Sequence, residues 1–105
     1  MQPIPELPAT AELLGADGVR EKLQVIDMSV GGLALARELV ARTLEIGSNL
    51  ALRLTLDHYG VHEVRATVRW TAATQIGVEY VQPPPAAFTA IQRYVAELLE
   101  RGAPS

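Results

Sequence analysis

A mainly β domain, six short antiparallel strands followed by one C-terminal amphipathic helix, is the fold class this sequence predicts. Three observations carry it. Apolar and polar residues alternate in several short runs. Turn residues separate those runs at short intervals. After Pro83-Pro84-Pro85 the apolar spacing switches from two residues to that of a helix. That order opposes a strand–helix alternation and points to a small barrel or sandwich.

Residues 1–8 hold three prolines and no periodicity, and read as an extended, poorly ordered lead-in to a domain over 9–103. Ala9–Leu14 is the first strand. Gly15-Ala16-Asp17-Gly18 turns, and Val19–Met28 comes next with Leu23 and Val25 alternating against Lys22 and Gln24. Val30-Gly31-Gly32 interrupts the pattern before Leu33–Ala36. Arg37–Leu44 has helical composition but lies between strands; a loop or edge strand is preferred and helix stays open. Beyond Gly47-Ser48, Leu50, Leu52, Leu54 and Leu56 face one way. Asp57–Gly60 makes a hairpin. The next strand puts Val64, Ala66, Val68 and Trp70 on one face, with Arg65, Thr67, Arg69 and Thr71 opposite. Ile76, Val78 and Tyr80 form the last run. The helix carries Phe88, Ile91, Val95, Leu98 and Leu99 as its apolar stripe, and Gly102 suits its C-terminal cap.

Composition narrows the function. A chain of 105 residues suits one domain. Its net charge of −3, with Lys and Arg scattered, opposes DNA or RNA binding, which needs a clustered basic face. No apolar run nears the roughly 18 residues of a membrane span, so no membrane insertion is expected. The start lacks the basic and apolar regions of a signal peptide. Zero cysteines exclude disulfides and thiolate chemistry, and a cytoplasmic location fits. His58 and His62 flank Gly60 at the hairpin tip with no obvious third ligand, which favours an exposed turn over a metal site. No nucleophile triad, phosphate loop or ligand cluster is present in the sequence, so no enzyme activity and no cofactor are expected.

One motif stands out. Asp27-Met28-Ser29-Val30-Gly31-Gly32 resembles the D-x-S-x-x-G motif of PilZ domains, between two early strands as in that family. The ordered set downstream is similar too: a strand led by Gly47, Val68-Arg69-Trp70, Ile76-Gly77-Val78-Glu79-Tyr80 and a closing helix. The resemblance spans residues 9–101. It implies a six-stranded PilZ-like β-barrel that receives cyclic di-GMP, with Asp27 and Ser29 contacting guanine and Gly32 as the motif glycine. The chemistry is sound: a carboxylate accepts from the N–H donors of a guanine edge, and a hydroxyl adds a contact.

The family's second motif, R-x-x-x-R before the first strand, clamps phosphates. Here the corresponding stretch reads Pro3-Ile4-Pro5-Glu6-Leu7-Pro8, without a basic residue. Two charge-assisted hydrogen bonds contribute about 3–6 kcal/mol, so their loss weakens binding by about two to four decades. Candidates for a substituted clamp are Arg20 and Lys22, inside the strand leading to the motif, and Arg65 and Arg69, which spell R-x-x-x-R downstream and read more simply as a solvated strand face. Asp27 and Ser29 also suit a structural role in a turn, and Gly32 a bulge. Trp70 reads as core or barrel-end packing rather than a base-stacking platform.

These readings lead to a regulatory adapter in motility, pilus or exopolysaccharide control. It acts through a protein partner, with cyclic di-GMP binding weak or absent. The alternative is a cyclic di-GMP receptor that uses Asp27 and Ser29 with a substituted clamp. A further reading is one module of a larger protein, its clamp supplied from elsewhere.

Overall fold

The computed structural model describes residues 1–15, 18, 20–36 and 44–103. Among these residues six strands close into a barrel: β1 (Ala9–Leu14), β2 (Arg20–Met28), β3 (Gly32–Ala36), β4 (Asn49–Leu56), β5 (Gly60–Thr71) and β6 (Gln75–Tyr80). Their order around the barrel is β1-β2-β3-β6-β5-β4, every neighbouring pair antiparallel. One helix, α1 (Pro85–Glu100), comes after them. The stretch 37–43, where the sequence left loop, edge strand and helix open, lies outside the described residues. Among the described residues no helix is long and apolar enough to cross a membrane.

Closure explains why the alternating strands need no second sheet. Leu52, Leu54 and Leu56 of β4, Val64, Ala66 and Val68 of β5, and Ile76 and Val78 of β6 all point inward and are buried. Each large side chain contributes about 1.5–3 kcal/mol by leaving water. A closed barrel has no unpaired edge.

Two features of the ends differ from the sequence expectation. The lead-in over residues 1–8 is packed rather than loose. Leu7 is fully buried in the core, Tyr94 Oη donates to its carbonyl at 2.7 Å, and the Asp57 N–H donates to Pro8 O at 3.1 Å. The helix, in turn, buries Ala87, Ala90, Ile91, Tyr94 and Leu98, while Phe88 and Leu99 stay exposed. The buried face is therefore rotated from the expected stripe. Small alanines let the helix approach the barrel, and Tyr94 meets Tyr59 of the β4–β5 hairpin edge-on at 6.3 Å.

Capping agrees closely with the sequence. Pro84 and Pro85 open the helix where a missing N–H costs nothing. At the other end Gly102 takes a φ of 73°, its N–H bonding Leu99 O and that of Ala103 bonding Leu98 O. This is a Schellman cap, which satisfies carbonyls the helix leaves open.

Candidate functional site

Two bulges build the site. Between Val25 and Asp27 the β2–β3 register slips by one residue, so Ile26 is extra. Between Val68 and Trp70 the β5–β6 register slips likewise, making Arg69 extra. A bulge reverses the inward–outward phase of the residues beyond it. Met28 therefore points inward, fully buried, and Asp27 outward. Trp70, expected with Val64, Ala66 and Val68, is turned out of the barrel and is 44% exposed. The core position the alternating pattern would have given it does not exist.

The two shifts align four residues in one outward row across four strands, Asp27 opposite Ala34, Ala34 opposite Gly77, and Gly77 opposite Trp70. The middle two are small, so the row is a trough with Asp27 at one end and the indole at the other. Its volume is about 380 Å³, and its lining includes Ser29, Gly32, Arg69 and Glu79. A Cβ on Gly77 would stand 1.9 Å from Trp70 Nε1, so the indole lies directly over this glycine.

The motif turn is held by its own side chains. Ser29 N–H donates to Gly32 O at 2.9 Å, and Ser29 Oγ accepts from Gly31 N–H at 3.3 Å and Gly32 N–H at 3.2 Å. Asp27 Oδ1 accepts from Met28 N–H at 3.0 Å and from the amino group of Met1. Met1 also pairs its backbone with Met28, N–H to O at 2.7 Å in both directions. The Asp27 side chain nevertheless keeps 52% exposure. Gly32 is not the bulge suggested by the sequence: it is the first residue of β3, opposite Glu79. A Cβ there would lie 2.1 Å from Val78 O, so close backbone approach dictates the glycine.

Of the residues singled out from sequence, Asp27, Ser29, Gly32 and Arg69 share the trough. Arg20 lines a separate depression with Gly15, Arg53 and Glu63, roughly 20 Å up β2 from Asp27 at the rise of an extended strand. Lys22 stands opposite Glu12 in the same outer region. Arg65 lines a third depression with Val81 and Pro84. The R-x-x-x-R spelled by Arg65 and Arg69 is not one cluster, because Arg69, the bulged residue, lines the trough while Arg65 lines the other depression. Arg69 itself contacts Glu79 at 3.3 Å, both side chains more than half exposed.

The histidines at the hairpin tip are engaged locally, His62 Nε2 with Tyr59 O at 2.7 Å and His58 Nε2 with Asp57 at 3.4 Å. Among the described residues no three His, Asp or Glu side chains gather as metal ligands. Tyr59 Oη donates to Glu97, which Arg101 also contacts. That hydrogen bond raises the Tyr59 pKa and, with Arg101, lowers that of Glu97. Burial pushes Tyr80 well above the usual tyrosine range, and its hydroxyl has no partner.

A closed six-stranded barrel with a glycine-bearing turn at the rim of an outer trough and a single C-terminal helix packed on it defines a class of small closed β-barrel modules. The PilZ domain family model matches residues 5–97, and the chain belongs to the PilZ family. Similar solved structures share the fold. YcgR of Escherichia coli, solved in complex with c-di-GMP, is 16% identical with a TM-score of 0.77, covering 97% of this chain and 45% of its own. MrkH of K. pneumonia, also as a c-di-GMP complex, is 17% identical with a TM-score of 0.84, covering 97% and 50%. The Bacillus subtilis inhibitor of motility MotI/DgrA is 16% identical with a TM-score of 0.69, covering 89% and 48%. The chain thus spans about half the length of these three proteins. No curated protein matches it.

Proposed function

We propose that this chain is a PilZ regulatory module that works through a protein partner in motility, pilus or exopolysaccharide control, in the cytoplasm, and binds cyclic di-GMP weakly or not at all. The observation that carries this reading is the charge of the trough. Among the described residues lining it, Arg69 is the one Lys or Arg, and Glu79 already holds it, while the nearby Met1 amino group is already held by Asp27. The stretch before β1, where the family has its arginine pair, offers Glu6 and buries Leu7. Asp27 and Ser29 meanwhile have structural work within the turn. Titration of cyclic di-GMP by calorimetry tests it; micromolar binding lost in Asp27→Ala would sink it.

A second reading is a true receptor. Its support is that Asp27, Ser29, Gly32, Arg69 and Trp70 share one trough, so a guanine edge on Asp27, a base on the indole and a phosphate on Arg69 are compatible. Arg69 is then the substituted clamp in place of Arg20 or Lys22. This reading requires Arg69→Gln to weaken nucleotide binding.

A further inference from the structure

We propose, resting on the protein-contact reading above, that the outer wall of β1 and β4 is the docking surface for an acidic segment of the partner, one in which two carboxylates flank an apolar side chain. Strand register builds this surface. Leu14 of β1 stands opposite Arg20 of β2 on one side and Ala51 of β4 on the other, and Ala51 stands opposite Arg65 of β5. All four alternate with buried neighbours and face outward, Arg20, Ala51 and Arg65 exposed and Leu14 half-buried. The row is thus an arginine, a low apolar floor two strands wide, and a second arginine. A depression lined by Arg20 and Arg53 and another lined by Arg65 and Val81 meet over it, since Leu14 and Glu63 line both.

Charge selects the occupant. One row nearer the β4–β5 hairpin, Lys22, Glu12, Arg53 and Glu63 alternate in sign across the same four strands, and Arg53 donates to Glu63 at 2.8 Å. That row is balanced within itself. On the other side Asn49 stands opposite Thr67, without charge. The row between them is left with two positive charges and no carboxylate, and among the described residues neither Arg20 nor Arg65 makes an ion pair. A guanidinium takes a carboxylate through two parallel N–H groups, whereas a basic segment would meet like charge. Three strand spacings put the two arginines about 14 Å apart along the wall. Carboxylates four residues apart on one face of an extended segment are about 13 Å apart, and the side chain midway between them lies over Leu14 and Ala51. The carboxylates of Glu12 and Glu63 interrupt the wall's cations, which disfavours a nucleic-acid backbone.

Amide NMR spectra of the full chain at low salt locate and measure the binding. The probes are the blocked peptide Gly-Glu-Thr-Leu-Thr-Glu-Gly, its isomer Gly-Thr-Glu-Glu-Leu-Thr-Gly with adjacent acids, its uncharged form with Gln for Glu, a DNA duplex and cyclic di-GMP. The first peptide is expected to shift the Leu14, Ala51 and Arg65 amides saturably, more tightly than its isomer, and the uncharged form to leave them in place. Arg20→Gln and Arg65→Gln are each expected to weaken it about threefold and together about tenfold, as independent exposed ion pairs do. Arg93→Gln on the helix is expected to leave it unchanged. Equal binding of the two isomers, indifference to both arginines, or tighter binding of the duplex at the same amides overturns the assignment. If no peptide shifts these amides while a partner is still captured and cyclic di-GMP fails to bind, the adapter reading stands and this surface falls. If cyclic di-GMP shifts them at low-micromolar concentration and Arg65→Gln abolishes that, both fall.

Discussion

At Gly77 a single added methyl group would meet the Trp70 indole at 1.9 Å, and at Gly32 one would meet the backbone of Val78 at 2.1 Å. The two clashes have different consequences. An indole can swing away, so Gly77→Ala is expected to cost about 1–3 kcal/mol and to red-shift the emission of the sole tryptophan. Backbone cannot swing, so Gly32→Ala separates β3 from β6 and is expected to destabilise more than Gly77→Ala in urea unfolding. Gly31, with nothing within 4 Å of its virtual Cβ, is the control, and Gly31→Ala stays within about 0.5 kcal/mol. The Asp27-x-Ser29-x-x-Gly32 turn was legible in sequence because its chemistry is local: Ser29 bonds the N–H groups of Gly31 and Gly32. Trp70 was not, because the bulge that turns it outward depends on how β5 meets β6, and alternation along one strand contains no such information.

Among the elements, the strands were readable because a barrel wall has one dry face, and period two in sequence is the trace of that face. β1 and β4 begin and end within a residue of the expected limits for this reason. The helix was readable as a helix but not in rotation. Large apolar residues at 88, 95 and 99 drew the expected stripe, whereas packing selected Ala87 and Ala90 for close approach and Tyr94 for its hydroxyl. The lead-in was misread as loose because one leucine among three prolines has no period at all. Its burial makes a clear expectation: Leu7→Ala costs about 2–5 kcal/mol, as a core residue does. Tyr94→Phe, which leaves Leu7 O without its partner, costs about 1–3 kcal/mol. If both variants unfold at the wild-type urea midpoint, the lead-in is not part of the fold.

For the molecule as a whole, tyrosine burial sets the alkaline limit. Burial first, then the nearby Asp57 and Glu97 charges, push Tyr94 up to about 12 from an ordinary 10. A raised folded-state pKa means that this contribution to stability is fully present below pH 10, where the phenol is neutral in both states. It is lost progressively as pH rises towards 12, because the unfolded chain ionises first. The melting temperature is therefore expected to hold steady from pH 7 to 9 and to fall above 10, with Tyr80 contributing in the same direction. A melting temperature that rose over that range would contradict the buried placement of both rings. The family was recognisable because its motif and strand order survive. The trough's charge was only half legible, since the lack of basic residues before β1 is visible in sequence, but the contact of Glu79 with the bulged Arg69 is a consequence of how β5 and β6 pair.

On the proposed function, this barrel keeps the D-x-S-x-x-G turn while having lost strong affinity for cyclic di-GMP. Calorimetric titration of cyclic di-GMP into the purified chain, with Asp27→Ala alongside, decides the matter. The expected outcome is no saturable heat at low-micromolar ligand and no difference between the two proteins. Low-micromolar binding by the wild type that disappears in Asp27→Ala would overturn the proposed function and make the trough a nucleotide receptor with Arg69 as its clamp.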